Sequence, residues 1–196
     1  MKKIVTLIAL CFPLIALAQI EKGKSVLTGS LAYSTTNIKG GANPNTSSSQ
    51  LNAFVSYSYL VSNRWAIGAR PSLYHNRVDN GNGFWYKNNQ MLLGPFVRRY
   101  ISLNEKFFFF LEGGVDADLL RTRDVEPGSP DVKTKRSGVH LYVYPGVTYL
   151  ITNKIALQVT LGGLNFTSSK TDGRKTNSFA ADARLSGLGF GASYIF

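Results

Sequence analysis

The stretch LEGGVDADLL at 111–120 carries three carboxylates, Glu112, Asp116 and Asp118, at even separations. An extended chain turns alternate side chains to opposite faces, so all three share one face. Their candidate partners are the guanidinium groups of Arg70, of Arg98 or Arg99, and of Arg184. A charge enclosed in a narrow interior is costly unless paired, so the set predicts an ion-pair network rather than a solvated face. Such a network would serve as a structural plug, or alternatively would line a gate or solute path. The chain has only two histidines, His75 and His140, the second with Ser137 three residues before it. Two imidazoles on separate strands are too few to hold a metal. The pairs Gly113–Gly114 and Gly162–Gly163 cradle no phosphate, because no helix and no Lys-Ser/Thr follows them. Inside strands, such glycines mark bends or crowded interiors.

The elements that must position these groups begin after a leader. Residues 1–18 open with Lys2 and Lys3, continue through an apolar run from Ile4 to Leu17, and end on the small-residue site ALA. That layout is a secretory signal peptide with cleavage after Ala18. The run falls short of the ~20 apolar residues of a spanning helix, and Pro13 interrupts it. Leu10 precedes Cys11 where lipoprotein cleavage wants a small residue, so the chain is not read as a lipoprotein. Cys11 is the one cysteine, so the expected mature domain, 19–196, has no disulfide, thiol nucleophile or cysteine zinc site. That domain has 178 residues, with 20 basic and 11 acidic side chains and a formal charge of +9. No second long apolar run occurs, which excludes a helical span.

The remainder alternates in polarity and is rich in β-branched and aromatic residues. Eight strands are predicted, at Ser25–Thr36, Ser49–Val61, Trp65–Asn76, Asn89–Ile101, Phe107–Thr122, Ser137–Ile151, Ile155–Ser168 and Ser178–Phe196. Three connections are short and Asn-containing, VSNR, SLNEK and ITNK, which is tight-turn chemistry. Four are long and polar, beginning at Asn37, Arg77, Arg123 and Ser169. Long and short connections alternate strictly, so an up-and-down sheet would carry all its loops at one end.

Composition says which face is wet. In the first strand Leu27, Gly29, Leu31 and Tyr33 oppose Thr28, Ser30, Ala32 and Ser34; in the last, Leu188, Phe190, Ala192, Tyr194 and Phe196 form the apolar row. Val139, Leu141, Val143, Val147 and Tyr149 do so in the sixth. The opposite face is mainly small or neutral and has no Lys in the strand middles, unlike a water-exposed surface. It suits a narrow lumen, with the apolar face turned to lipid. Met91, Leu93, Val97 and Ile101 put odd positions outward, which turns Arg98 inward and leaves Arg99 near the interface. Aromatics gather at both ends: Tyr59, Trp65, Tyr100, Phe107, Tyr149, Tyr194 and Phe196 near the turns, and Tyr33, Tyr74, Trp85, Tyr86, Phe166 and Phe179 near the loops. Two such belts flank the apolar band of a membrane barrel. The fold class is therefore all-β, an eight-stranded antiparallel transmembrane β-barrel.

From Gln19 to Phe196 the chain resembles the small eight-stranded outer-membrane barrels, the porin-like OmpX/OmpA-type superfamily of Gram-negative bacteria. Leader, strand number, loop asymmetry and the ending GFGASYIF carry the likeness. The resemblance implies that the insertion machinery reads the final strand, where Gly189, Phe190, Ala192, Tyr194 and Phe196 fit the signal. It also implies an integral outer-membrane protein with periplasmic termini and extracellular loops. Deacylases and palmitoyltransferases on such barrels pair His with Ser and a carboxylate. The His-x-Ser arrangement expected of the deacylases is missing here, so no enzyme activity and no cofactor are expected.

Lys133, Lys135, Arg136, Lys170, Arg174 and Lys175 outnumber the acids of the long loops, and lipopolysaccharide phosphates are the nearest anions outside such a cell. Export and a lipid-facing barrel leave nucleic acid out as a partner. GNGFWYK at 81–87 is read as a belt, its alternative being a sticky loop tip. The function expected is a porin-like or structural surface barrel, with solute transport as the alternative and lipid modification as a distant third. No oligomeric state is encoded legibly, and a monomer is the expected form.

Overall fold

The computed structural model describes residues 20–39, 45–182 and 188–196. The segments are β1 (Ser25–Ile38), β2 (Thr46–Leu60), β3 (Trp65–Asp79), β4 (Trp85–Ser102), β5 (Phe107–Val125), β6 (Val132–Leu150), β7 (Ile155–Leu161), β8 (Gly163–Thr171), β9 (Arg174–Asp182) and β10 (Leu188–Ile195). Among the described residues there is no helix long and apolar enough to cross a membrane. From β1 to β6 each segment pairs antiparallel with the next. β7 and β8 both pair with β6, along successive lengths, and so form one bent stave. β9 pairs with β8 and β10 with β7, and β10 closes onto β1 from Val26↔Ile195 to Gly29↔Ala192. The result is a closed, eight-stave antiparallel β-barrel, the fold class read from the sequence.

The bend falls between Gly162 and Gly163, whose φ angles are +80° and +151°. A Cβ at Gly163 would sit 2.2 Å from the Val143 carbonyl, so only glycine lets the stave fold this closely over β6. Gly113–Gly114, by contrast, stays in regular strand. Gly114 is there for crowding, since a Cβ would lie 2.4 Å from the Tyr142 hydroxyl.

The three tight turns are held by their own side chains. Asn104 Oδ1 accepts from the N–H groups of Lys106 (2.9 Å) and Phe107 (2.8 Å). Thr152 Oγ1 and Ser62 Oγ do the same for the turns before β7 and β3. This polar side-chain capping replaces the backbone partners that a turn lacks.

At the other end the strands run further than the sequence suggested. β3 and β4 reach Asp79 and Trp85, β5 and β6 reach Val125 and Val132, and β8 and β9 are joined by Asp172–Gly173 alone. Asp172 (φ 47°) and Gly173 (φ 81°) form the two-residue turn that a hairpin's twist favours. Three of the expected long loops are therefore largely strand. Beyond the lipid both faces are wet, so pairing continues where the apolar alternation has ceased.

Odd positions of β1, β3, β4, β5 and β6 and even positions of β10 point outward, as Leu31 (74 % exposed) and Phe190 (66 %) show. Inside, the turn end of the barrel is not lined by small polar groups as expected. Leu60, Tyr100, Phe110 and Leu150 fill it, each at most 2 % exposed, together with Ile20, Phe108 and Ile195. Burying side chains of this size favours folding by roughly 1.5–3 kcal/mol each. The lumen is a core at this end.

Candidate functional site

Above that apolar fill lies a layer of charge. Glu112 and Arg98 are direct cross-strand partners on β5 and β4. Arg98 Nε and Nη2 donate to Glu112 Oε2 at 2.8 and 2.5 Å, and Nη1 donates to Gln158 (2.9 Å) and Tyr100 (3.1 Å). Arg70, from β3, donates to Glu112 Oε1 at 3.2 Å and lies 3.5 Å from Asp116. Its guanidinium stacks on the Tyr142 ring at 4.2 Å, and the Tyr142 hydroxyl donates to Glu112. Asp118 accepts from Gln90 (2.7 Å) and Arg136 (3.0 Å).

Glu112, Asp116, Asp118 and Arg98 are all buried. Three guanidinium groups thus meet Glu112, Asp116 and Asp118, and a fourth carboxylate, Asp182, lines the cavity beside them. The geometry suits mutual neutralisation. Arg184, grouped with this set from the sequence, lies outside the described residues.

His140 completes the layer. Its Nδ1 lies 3.3 Å from Asp116 Oδ2 and its Nε2 lies 3.0 Å from Asn165 Oδ1, which also accepts from Tyr144. Ser137 is exposed on the opposite face of β6, so the two side chains form no nucleophile–base pair. His75 faces outward and bonds Asn89 at 2.7 Å. Among the described residues no group of three or more His, Cys, Asp or Glu is arranged for a metal. A cavity of about 300 Å³ borders the network beside Gly162 and Gly163, lined also by Tyr144, Gln158 and Asn165.

A second concentration of charge lies on the outside of the sheet, beyond the apolar band. Outward positions of β3 to β6 carry Arg77, Lys87, Arg121, Arg123, Lys133 and Lys135, and those of β8 and β9 carry Lys170 and Lys175. The register opposes them directly: Arg77↔Lys87, Lys87↔Arg123, Arg121↔Lys135, Arg123↔Lys133 and Lys170↔Lys175. Like charges in this relation repel at Cβ separations of about 4.5–5.5 Å.

Two members have carboxylate partners: Arg77 with Asp79 at 3.8 Å, and Arg123 with Asp131. Trp85 sits between their guanidinium groups, 5.1 Å from Arg77 and 5.2 Å from Arg123. Lys87, Arg121, Lys133, Lys135, Lys170 and Lys175 form no ion pair among the described residues. Of the loop cations read from the sequence, Lys133, Lys135, Lys170 and Lys175 belong to this girdle, Arg174 stands at the hairpin tip, and Arg136 turns inward to Asp118. Sequence reading missed Arg77, Lys87, Arg121 and Arg123. Their signal was the i, i+2 spacing of Arg121–Arg123 opposite Lys133–Lys135.

The C-terminal residues close the barrel seam. Phe196 and Ser25 exchange both backbone hydrogen bonds, at 2.7 and 2.9 Å. The Phe196 ring stands 5.9 Å from Tyr194 and 6.4 Å from Tyr57, within the outward aromatic belt. Ala192 pairs with Gly29 and Leu157, Gly189 pairs with Thr160, and Phe190 is 66 % exposed.

No curated protein sequence matches the chain. Among solved structures, the attachment invasion locus protein Ail of Yersinia pestis is similar at TM-score 0.51 and 16 % identity, covering 89 % of this chain and 99 % of that one. OprG from Pseudomonas aeruginosa has TM-score 0.49 and 15 % identity over 92 % and 99 % of the two chains. Neisserial surface protein A has 0.49 and 16 % over 89 % and 98 %. The profile of the outer membrane protein beta-barrel domain matches residues 4–196. With the closed eight-stave barrel and its outward apolar face, that match over nearly the whole sequence means the chain belongs to the outer membrane protein beta-barrel domain family and is an integral protein of the outer membrane.

Proposed function

We propose that this is a plugged, non-enzymatic surface barrel whose outward basic girdle holds lipopolysaccharide phosphates, with the girdle end facing out of the cell and both termini in the periplasm. The observation that carries this reading is the cross-strand register of like charges just beyond the apolar band. Uncompensated, Arg121↔Lys135 and Lys170↔Lys175 weaken the sheet. A layer of phosphates at that height converts each repulsion into shared, charge-assisted contacts. Ten residues nearer the turns, the same outward face is Phe109, Leu111 and Val143, suited to acyl chains.

The test uses the folded full-length protein in detergent, with Trp65→Phe leaving Trp85 beside Arg77 and Arg123 as the reporter. Purified lipid A should change Trp85 emission, and Lys135→Ala with Lys170→Ala and Lys175→Ala should weaken binding about tenfold or more. Equal affinity for the variant, or equal affinity for phosphatidylcholine, would refute the girdle as a phosphate site.

The lumen supports the structural half of the proposal, since the three β5 acids are paired with arginines and its turn end is filled with Phe110, Leu60 and Leu150. Planar-bilayer recordings should therefore be silent. The cavity of about 300 Å³ favours solute transport as the second reading, and discrete reproducible channel steps would make it the leading one. Phe196 is proposed as the residue read by the insertion machinery; its deletion should lower the folded barrel in the outer membrane while secretion continues. Normal barrel levels would exclude that role.

A further inference from the structure

We propose that the outward face of β3, β4 and β5 at the turn end binds one glycerophospholipid, with its phosphate on Arg99 and an acyl chain in the groove above. The outward positions of these strands run Trp65, Ile67, Ala69, Pro71 and Leu73; Met91, Leu93, Pro95, Val97, Arg99 and Ile101; and Phe107, Phe109, Leu111, Gly113, Val115, Ala117 and Leu119. Arg99 is the only charge among them. It has no ion pair among the described residues, pairs across the sheet with Trp65 and Leu111, and holds its guanidinium 5.6 Å from the Trp65 ring. Its neighbour Arg98 points into the lumen, onto Glu112.

A cation on a lipid-facing surface is tolerated at the interface, where it reaches head groups. Here Arg99 stands at the barrel lip, where it and Arg64 rim the lumen mouth, a depression of about 720 Å³ floored by Ile20, Tyr100 and Phe108, with Glu105 the one carboxylate among the described residues on that rim. Two guanidinium groups against one carboxylate favour an anionic occupant.

The second observation is shape. Above Arg99, Ala69 and Pro95 are cross-strand partners and Gly113, one step nearer the turns, opposes Val97, where neighbouring outward positions carry Leu, Ile or Val. They open an apolar groove of about 780 Å³, bordered by Tyr57, Val97 and Val115. The groove lies within the hydrocarbon band and faces outward, so a hydrocarbon chain is the occupant its surroundings supply. At its turn end the groove reaches Val97, two residues before Arg99 on the same outward face. One molecule with a phosphate joined to acyl chains satisfies both features, whereas a second barrel would cover the groove and leave Arg99 without a counter-charge.

The choice of a glycerophospholipid over lipopolysaccharide rests on the orientation proposed above, which puts the turn end in the inner leaflet. That orientation is checked separately by labelling Ser129→Cys in intact cells with a membrane-impermeant maleimide.

The test is native mass spectrometry of the folded full-length barrel released from detergent, with dioleoyl phosphatidylglycerol as probe and dioleoylglycerol as its phosphate-free counterpart. One retained phospholipid is expected on the unaltered protein. Arg99→Gln should lower its retention about tenfold, the loss of one charge-assisted contact. Gly113→Leu should lower it comparably by filling the groove. A Cβ there meets only the Tyr142 carbonyl at 3.6 Å and Val143 Cγ2 at 3.9 Å, ordinary contacts, so the variant keeps its fold. Unchanged retention in both variants, or equal retention of dioleoylglycerol, would overturn the proposal, as would a two-chain mass that Gly113→Leu abolishes.

Discussion

The two faces of this sheet treat charge in opposite ways. Inside, the register sets Arg98 against Glu112 and Asp116 against His140, and Asp118 takes Arg136, so the three acids of β5 each have a basic or imidazole partner across or beside them. Outside, the same strands set Arg121 against Lys135 and Arg123 against Lys133, and of these four cations only Arg123 has a carboxylate partner among the described residues, Asp131. β5 supplies both patterns, separated only by parity and height. Glu112, Asp116 and Asp118 are each at most 2 % exposed, so their charges have to be compensated within the protein. The girdle faces a medium that can supply the missing anion, so it can afford an imbalance. On the proposed function, self-sufficiency marks structure here and imbalance marks a contact surface.

The sharpest way to break the contrast is to unbalance the lumen. Glu112→Ala leaves Arg98 buried against Gln158 and Tyr100 and deprives Arg70 of its nearer carboxylate. Removing one partner of a buried pair costs about 3–5 kcal/mol, which should appear as a lower urea midpoint for the folded barrel. Adding Arg98→Met should return much of that loss, because the uncompensated cation goes with it. A Glu112→Ala midpoint equal to that of the unaltered protein would show that water reaches the network and that the plug is open. Gly114→Ala tests the same layer by volume alone: its Cβ overlaps the Tyr142 ring, and overpacking should cost about 1–3 kcal/mol.

Much of the lumen side was legible because parity, once set by Met91, Leu93 and Val97, propagates through a sheet without further information. It placed Arg98 inward and Arg99 at the interface, and it put Glu112, Asp116 and Asp118 on one row. What it could not resolve was where alternation lacks contrast. The run Phe107–Phe110 is apolar on both faces, which hid that Phe108 and Phe110 fill the lumen. In KTKRS at 133–137 cations occupy both parities, and one residue of register separates Lys135 outside from Arg136 on Asp118. Beyond the bilayer both faces are polar, and strands up to Val125 and from Val132 read as loop. The Asp172–Gly173 turn is a different case. Its hairpin signal was present in TDGR, but polar flanks obscured the strands on either side.

The smallest effect discriminates best between the two faces, because its sign depends on what is bound. Lys170 and Lys175 are direct partners on β8 and β9, exposed and without a carboxylate. Lys175→Glu turns that repulsion into attraction. In detergent free of lipopolysaccharide it should raise stability by about 0.5 kcal/mol, the scale of an exposed cross-strand pair, and the gain should fade as salt is added. With lipopolysaccharide present the same change removes one phosphate contact and adds a repulsion, so the variant should become the less stable of the two. A charge reversal inside, at Glu112, would destabilise under both conditions, since no external anion reaches it. If Lys175→Glu stabilises equally with and without lipopolysaccharide, the girdle is a solvated surface whose repulsion the sheet merely tolerates, and the contrast between the faces loses its functional meaning.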